Sequence, residues 1–143
     1  MPRDQQQAPV SAVPVLPSSR HSTLDSLFPR GRGVRVYLNT MFWASIMSPD
    51  YNVGLEWDYS RLSNGGFFMA PPHHAGGMYR IGSPNGYLGV VSAEAMGIIC
   101  CLFAYSHLSF QPWFQPLAPD HFHLLREYAG THNDSRQIFA AID

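Results

Sequence analysis

From about Thr23 the apolar residues recur at helical steps. Thr23 is placed to cap a short helix running through Phe28 and stopped by Pro29. Val34, Leu38, Met41, Phe42, Ser45 and Ile46 follow at three- and four-residue spacing, which predicts a helix over Gly33–Ile46 with one apolar, core-facing side. Ser48-Pro49-Asp50 ends it, because the residue before a proline is biased away from helix. The period then changes to two. Leu55, Trp57 and Tyr59 alternate with Glu56, Asp58 and Ser60, and Ser63-Asn64-Gly65-Gly66 follows. Asn-Gly between such runs predicts a hairpin returning through Phe67 to Ala70, with Leu62 opposite Phe67 and Tyr59 opposite Ala70. Met78–Ile81 and Tyr87–Val91 form a second predicted hairpin around Ser83-Pro84-Asn85-Gly86.

Ser92 is a good N-cap, with Glu94 in the first turn, for a helix reaching about Leu108. Its residues are apolar on nearly every side, the mark of a central core helix. Pro112, Pro116 and Pro119 break the chain. Helices then run from about Asp120 to Ala129, with Phe122 and Leu125 on one face, and from about Asp134 to Ile142. The order predicts an α+β fold: a four-stranded antiparallel sheet made of two hairpins, packed with N-terminal and C-terminal helices around one buried helix. Residues 1–19 hold four prolines and three consecutive glutamines and read as a flexible arm; residues 20–143 read as a single domain.

Composition narrows the functions this fold can serve. Only 13% of the 143 residues are charged, about half the usual share, and all nine basic residues are arginine. Against ten Asp and Glu they leave a net charge of −1. The chain is too weakly basic to hold nucleic acid chiefly through phosphates. It is also too weakly acidic to pass for DNA, since imitating ten base pairs needs about twenty uncompensated negative charges. The two cysteines, Cys100 and Cys101, are adjacent in a predicted helix, where their side chains diverge too far for an ordinary disulfide. Two buried thiols fit a reducing compartment. Prolines interrupt the apolar residues of the N-terminus, so no signal-peptide core forms, and the longest apolar stretch, Ala95 to Tyr105, is too short to span a membrane. The expectation is a cytoplasmic protein with no membrane partner.

Candidate chemistry is sparse. His73-His74 lies in a Pro/Gly loop without an acid or cysteine close by, so it reads as exposed loop histidines and not as a zinc site, which needs three or four ligands. His121 and His123 point to different sides of a helix. Glu56 and Asp58 share a polar strand face, which explains them without catalysis. There is no nucleophile motif and no phosphate loop. These residues predict neither catalytic nor cofactor or metal sites. Phe67 and Met69 have two readings: a sheet face covered by a helix, or an exposed apolar patch for a partner.

Three blocks carry a resemblance. The first is Met47-Ser48-Pro49-Asp50-Tyr51-Asn52, then Trp57, then Leu62-Ser63-Asn64-Gly65-Gly66-Phe67-Phe68-Met69-Ala70-Pro71. The second is Asn85-Gly86-Tyr87 followed by Ser92-Ala93-Glu94-Ala95-Met96-Gly97-Ile98-Ile99, and the third is His123-Leu124-Leu125-Arg126-Glu127-Tyr128-Ala129 with Ile138 to Asp143. In this order they resemble the ArdB/KlcA antirestriction family, over about four-fifths of the chain. Val53 and Leu55-Glu56 stand where that family tends to have glycine and an aromatic. The resemblance implies a non-catalytic protein, without cofactor, that shields incoming mobile-element or plasmid DNA from host type I restriction enzymes. With so little net charge, contact with the host restriction-modification complex through shape and apolar surface is expected in place of DNA mimicry. The expected contact surface is Asp50, Tyr51, Trp57, Asn64 and Gly65, with Phe67 and Met69 if exposed. The alternative is a DNA-binding accessory protein using the region from Arg20 to Arg35, where Arg30 and Arg32 also lie.

Overall fold

A computed structural model describes residues 8–73 and 77–143. Strand β1 (Ala12–Pro14) leads into helices α1 (Arg20–Leu27) and α2 (Arg32–Met47). Strands β2 (Asp58–Leu62), β3 (Phe67–Ala70), β4 (Met78–Gly82) and β5 (Leu88–Ser92) follow, then α3 (Ala93–Leu108), α4 (Leu117–Ala129) and α5 (Ser135–Ile142). The α+β layout holds, with α3 at its centre: twelve of the helix's residues are buried, and Ser92 Oγ caps it by accepting from the N–H of Ala95 at 3.1 Å.

The single four-stranded sheet does not form. β1, β2 and β3 make one antiparallel sheet in that order, and β4 and β5 make another. The reason lies at the outer edge of β3, which is occupied by a helix. The Tyr105 hydroxyl donates to the Phe67 carbonyl at 2.7 Å. The Met69 N–H donates to Cys101 Sγ at 3.4 Å, and the Cys101 thiol points back at the Met69 carbonyl at 3.6 Å. A Cβ on Gly97 would sit 2.3 Å from that same carbonyl and 2.5 Å from Ala70 Cα. Gly97, Cys101 and Tyr105, four residues apart on α3, thus run along β3 where another strand would pair.

The opposite edge of the sheet, on β2, is covered from the N-terminal segment. Ala12 pairs with Leu62, Val13 with Arg61 and Pro14 with Ser60, and the Val15 N–H donates to the Tyr59 carbonyl at 2.8 Å. Part of the segment expected to be a flexible arm is therefore a sheet strand, with Pro14 tolerated on an edge.

The register of the first hairpin is shifted by one residue from expectation. Arg61 opposes Phe67 and Tyr59 opposes Met69. Leu62 closes on Gly66 (N–H to carbonyl, 2.9 Å), leaving a three-residue loop with Gly65 at φ +95°. Such loops place a left-handed residue last, a conformation glycine adopts without strain.

Helix α2 also differs from its predicted orientation. Its buried side is Gly33, Val36, Thr40, Ala44 and Met47, whereas Val34, Leu38, Phe42 and Ile46 are each more than half exposed. The small residues win the core position because they allow close approach. A Cβ on Gly33 would lie 2.9 Å from Leu24 of α1, and the Thr40 hydroxyl bonds back to the Val36 carbonyl at 2.8 Å. Helix α1 begins three residues before Thr23, which is buried inside it. Helix α4 begins at Leu117, accommodating Pro119 in its first turn, where the missing N–H costs nothing.

Candidate functional site

The segment after α2 is built from its own turns. Ser48 leaves the helix in an extended conformation, and its hydroxyl accepts from the Asp50 N–H at 3.1 Å. Asp50 then ties this turn to β4. Its carboxylate accepts from the Arg80 backbone N–H at 2.8 Å, from Arg80 Nε at 3.1 Å and from Arg80 Nη2 at 2.7 Å. This is a two-pronged guanidinium–carboxylate pair with a main-chain bond added, and it raises the Arg80 pKa. Tyr51 is half-buried, edge-on to Trp57 at a ring separation of 6.4 Å, and burial raises its hydroxyl pKa. Between them the chain exposes Val53 and Leu55, the former at 84%.

The expected surface is not assembled as one patch. Asp50, Tyr51 and Trp57 lie before β2, and Asn64 and Gly65 after it, so the length of the strand, ~17 Å, separates them. Trp57 is buried. Phe67 and Met69 are fully buried, Phe67 with its ring edge-on to Phe28 of α1 at 5.9 Å, so the exposed-patch reading of these two residues is corrected in favour of a covered face. Asn64 is turned inward as a tether. Its amide donates to the Leu124 carbonyl and to Glu127 of α4, both at 2.9 Å, while its side-chain oxygen accepts from the Gly66 N–H at 2.9 Å.

The second Asn-Gly turn does the same for α5. The Asn85 amide donates to the Ala140 carbonyl at 2.9 Å, and its oxygen receives the Ser83 hydroxyl and the Tyr87 N–H. Sequence reasoning saw both turns and missed both tethers, since nothing in a turn motif names the helix it grips.

The acidic groups are largely paired. Besides Asp50, Arg20 meets Asp58 at 2.8 Å and Glu56 at 3.8 Å, and Arg126 meets Asp143 at 3.8 Å. Glu94 accepts from His132 Nε2 at 2.7 Å and from the Tyr128 hydroxyl at 3.3 Å, and the His132 contact lowers its pKa. His132 Nδ1 is occupied by the Asp134 N–H at 2.9 Å, so this imidazole has no open nitrogen with which to act as a base.

The arginines of the alternative reading are partly committed too. Arg20 holds Asp58, and Arg32 donates to the Trp113 and Pro29 carbonyls at 2.7 and 3.1 Å.

Among the described residues, no three His, Cys, Asp or Glu side chains are placed to hold a metal; His74 lies outside the described residues. Nor among them is any helix long and apolar enough to cross a membrane. Both thiols are buried, and burial pushes that of Cys101 up to about 12.

Among the described residues this arrangement leaves the Asp50–Glu56 loop exposed and ties the two Asn-Gly turns to helices. Residues 49–143 match the model of the antirestriction proteins, and the chain belongs to that family. It is 32% identical over 141 residues to the antirestriction protein KlcA of Escherichia coli, covering 96% of this chain and 98% of that one. A second E. coli KlcA is 37% identical over 105 residues, 71% of this chain and 70% of its own, and the uncharacterized protein YafX of E. coli K12 is 36% identical over 102 residues, 71% and 66%. A solved structure superposes with a TM-score of 0.85 at 34% identity, covering 96% of this chain and 98% of its own. It comes from a description of KlcA and ArdB as having a novel fold and antirestriction activity against type I DNA restriction systems in vivo but not in vitro.

Proposed function

We propose that this protein shields incoming mobile-element DNA from host type I restriction by contacting a protein component of that system in the cytoplasm, and that it acts stoichiometrically, without catalysis or DNA mimicry. Family membership supports the antirestriction role. The observation that carries the mechanism is electrostatic: net charge is −1, and Asp50, Glu56, Asp58, Glu94 and Asp143 each face a cationic or histidine side chain. A duplex mimic needs a dense run of uncompensated carboxylates; here these five carboxylates are distributed among Arg20, Arg80, Arg126 and His132. The relative's activity in vivo but not in vitro accords with a target state that forms in the working cell.

The contact surface we favour is the Asp50–Glu56 loop, held rigid by the Asp50–Arg80 pair and displaying Tyr51, Val53 and Leu55. The Asn64-Gly65 turn is a second contact at the far end of β2. Plating of unmodified phage on a type I restricting host tests this. The wild-type protein should restore plating. Val53→Asp, at an exposed position that leaves the core untouched, should lose at least tenfold of that effect with its melting temperature unchanged. Full protection by Val53→Asp would remove the loop from the mechanism.

A further inference from the structure

Helix α2 carries an apolar surface left open among the described residues. Val34, Leu38, Phe42 and Ile46 follow one another at four-residue intervals on its outer side, with exposures of 55%, 56%, 52% and 53%. From Val36 to Met47 the helix has no charged residue. The stripe continues past the end of the helix. Ile46 shares an open groove of about 570 Å³ with Leu88 and Val90 of β5, which are 81% and 53% exposed. These six side chains expose roughly 600 Å², the top of the range for the largest apolar patch on a typical monomer.

We propose that this face is a two-fold interface between copies of this chain, with α2 packed antiparallel on its counterpart. The stripe is self-complementary about its midpoint. An axis passing between Leu38 and Phe42 sets Leu38 against Phe42 of the second copy and Val34 against its Ile46, so large meets large at the centre and β-branched meets β-branched at the ends. Four-residue ridges interlock at a crossing of about −50°, the commonest helix–helix geometry.

Charge selects the same orientation. On α2 itself the exposed charge on this side is Arg35, set over the Trp113 ring at 5.7 Å in the first turns, where a helix dipole disfavours a cation; Arg80, held by Asp50, lines the groove beyond the helix. The antiparallel arrangement carries Arg35 to the C-terminal end of the second α2, beside the last carbonyls of that helix, where a cation is favoured. Flanked by Arg35, Met41, Ser45 and Pro49, the six side chains make up most of the ~800 Å² per copy that a stable interface buries. The two Asp50–Glu56 loops then begin at opposite ends of the interface, next to Pro49, while Val53, the position that tests the restriction contact, is not among the residues lining the groove.

Sedimentation velocity of the full chain, from micromolar to high-micromolar concentration, tests this. The account predicts a reversible rise from 16.0 kDa to twice that mass. Leu38→Glu and Phe42→Glu, both outside the core, should each stay at the single-chain mass with unaltered circular dichroism and melting temperature, and Arg35→Glu should weaken association severalfold. A wild-type protein that remains a single chain throughout overturns the proposal, as do a dimer that survives both stripe variants and an open-ended assembly. A dimer insensitive to Arg35→Glu overturns the antiparallel orientation. None of these results bears on phage protection, which the loop variant tests separately.

Discussion

His121 lies almost wholly buried, its ring 4.5 Å from that of Phe28 and 5.6 Å from that of Tyr105. Burial holds its pKa down to about 4, from an ordinary 6.5, against a weaker upward pull from Asp120. The folded protein therefore keeps this imidazole neutral at pH values where the unfolded chain protonates it. Stability is complete above about pH 6.5 and falls as pH drops toward 4, by at most about 3 kcal/mol. Glu94, whose pKa is lowered by His132, loses its contribution at lower pH, below the ordinary carboxylate value. Thermal melts across pH 7 to 3 should separate the two. His121→Leu should flatten the decline between pH 6.5 and 4.5, and an unchanged slope would assign acid sensitivity to another group. The sequence placed His121 and His123 on different sides of a helix but could not say which was inside, because that depends on Phe28, ninety-three positions earlier.

At the scale of elements, two contacts decide how the sheet meets the helices. The first is Gly97 against β3. Its missing Cβ would strike backbone atoms of Met69 and Ala70, which cannot yield as a flexible side chain would. Gly97→Ala should therefore push α3 off the strand, weakening the Cys101 and Tyr105 bonds together, and cost about 3 kcal/mol or more in urea unfolding. A melting temperature within a few degrees of wild type would contradict the packing. The second is the Asn64 tether. Asn64→Ala should cost about 1–3 kcal/mol by leaving part-buried partners unmet. Asn64→Asp should cost at least as much, because it keeps the acceptor for Gly66 but sets a carboxylate against the Leu124 carbonyl and Glu127. A silent Asn64→Asp would show that the amide donor contributes nothing.

These contacts mark the limit of sequence reading. Periodicity, caps and Asn-Gly turns locate the helices and hairpins because those signals are local. The partner of β3 and the inward side of α2 are not local. An apolar stripe at helical spacing normally faces the core, and in α2 that inference fails because Gly33, Thr40 and Ala44 allow a closer approach than Leu38 or Phe42 would. The same locality explains the predicted interaction surface. Turn and aromatic residues cluster in sequence between Asp50 and Met69, but the fold distributes them among an exposed loop, a helix tether and a buried strand.

For the whole molecule, the central feature is a near-neutral surface on a fold of the antirestriction family. On the proposed mechanism, recognition rests on shape and apolar contact, as at other protein–protein interfaces, and not on the charge with which a DNA mimic would occupy a DNA-binding groove. The most direct test is the occupancy of recognition sites by the host type I complex in cells expressing the protein, measured by cross-linking and recovery of its DNA-recognition subunit while phage survival is scored in the same culture. Survival should rise while the complex remains on its sites. Survival that rises only as the complex leaves its DNA would contradict the account.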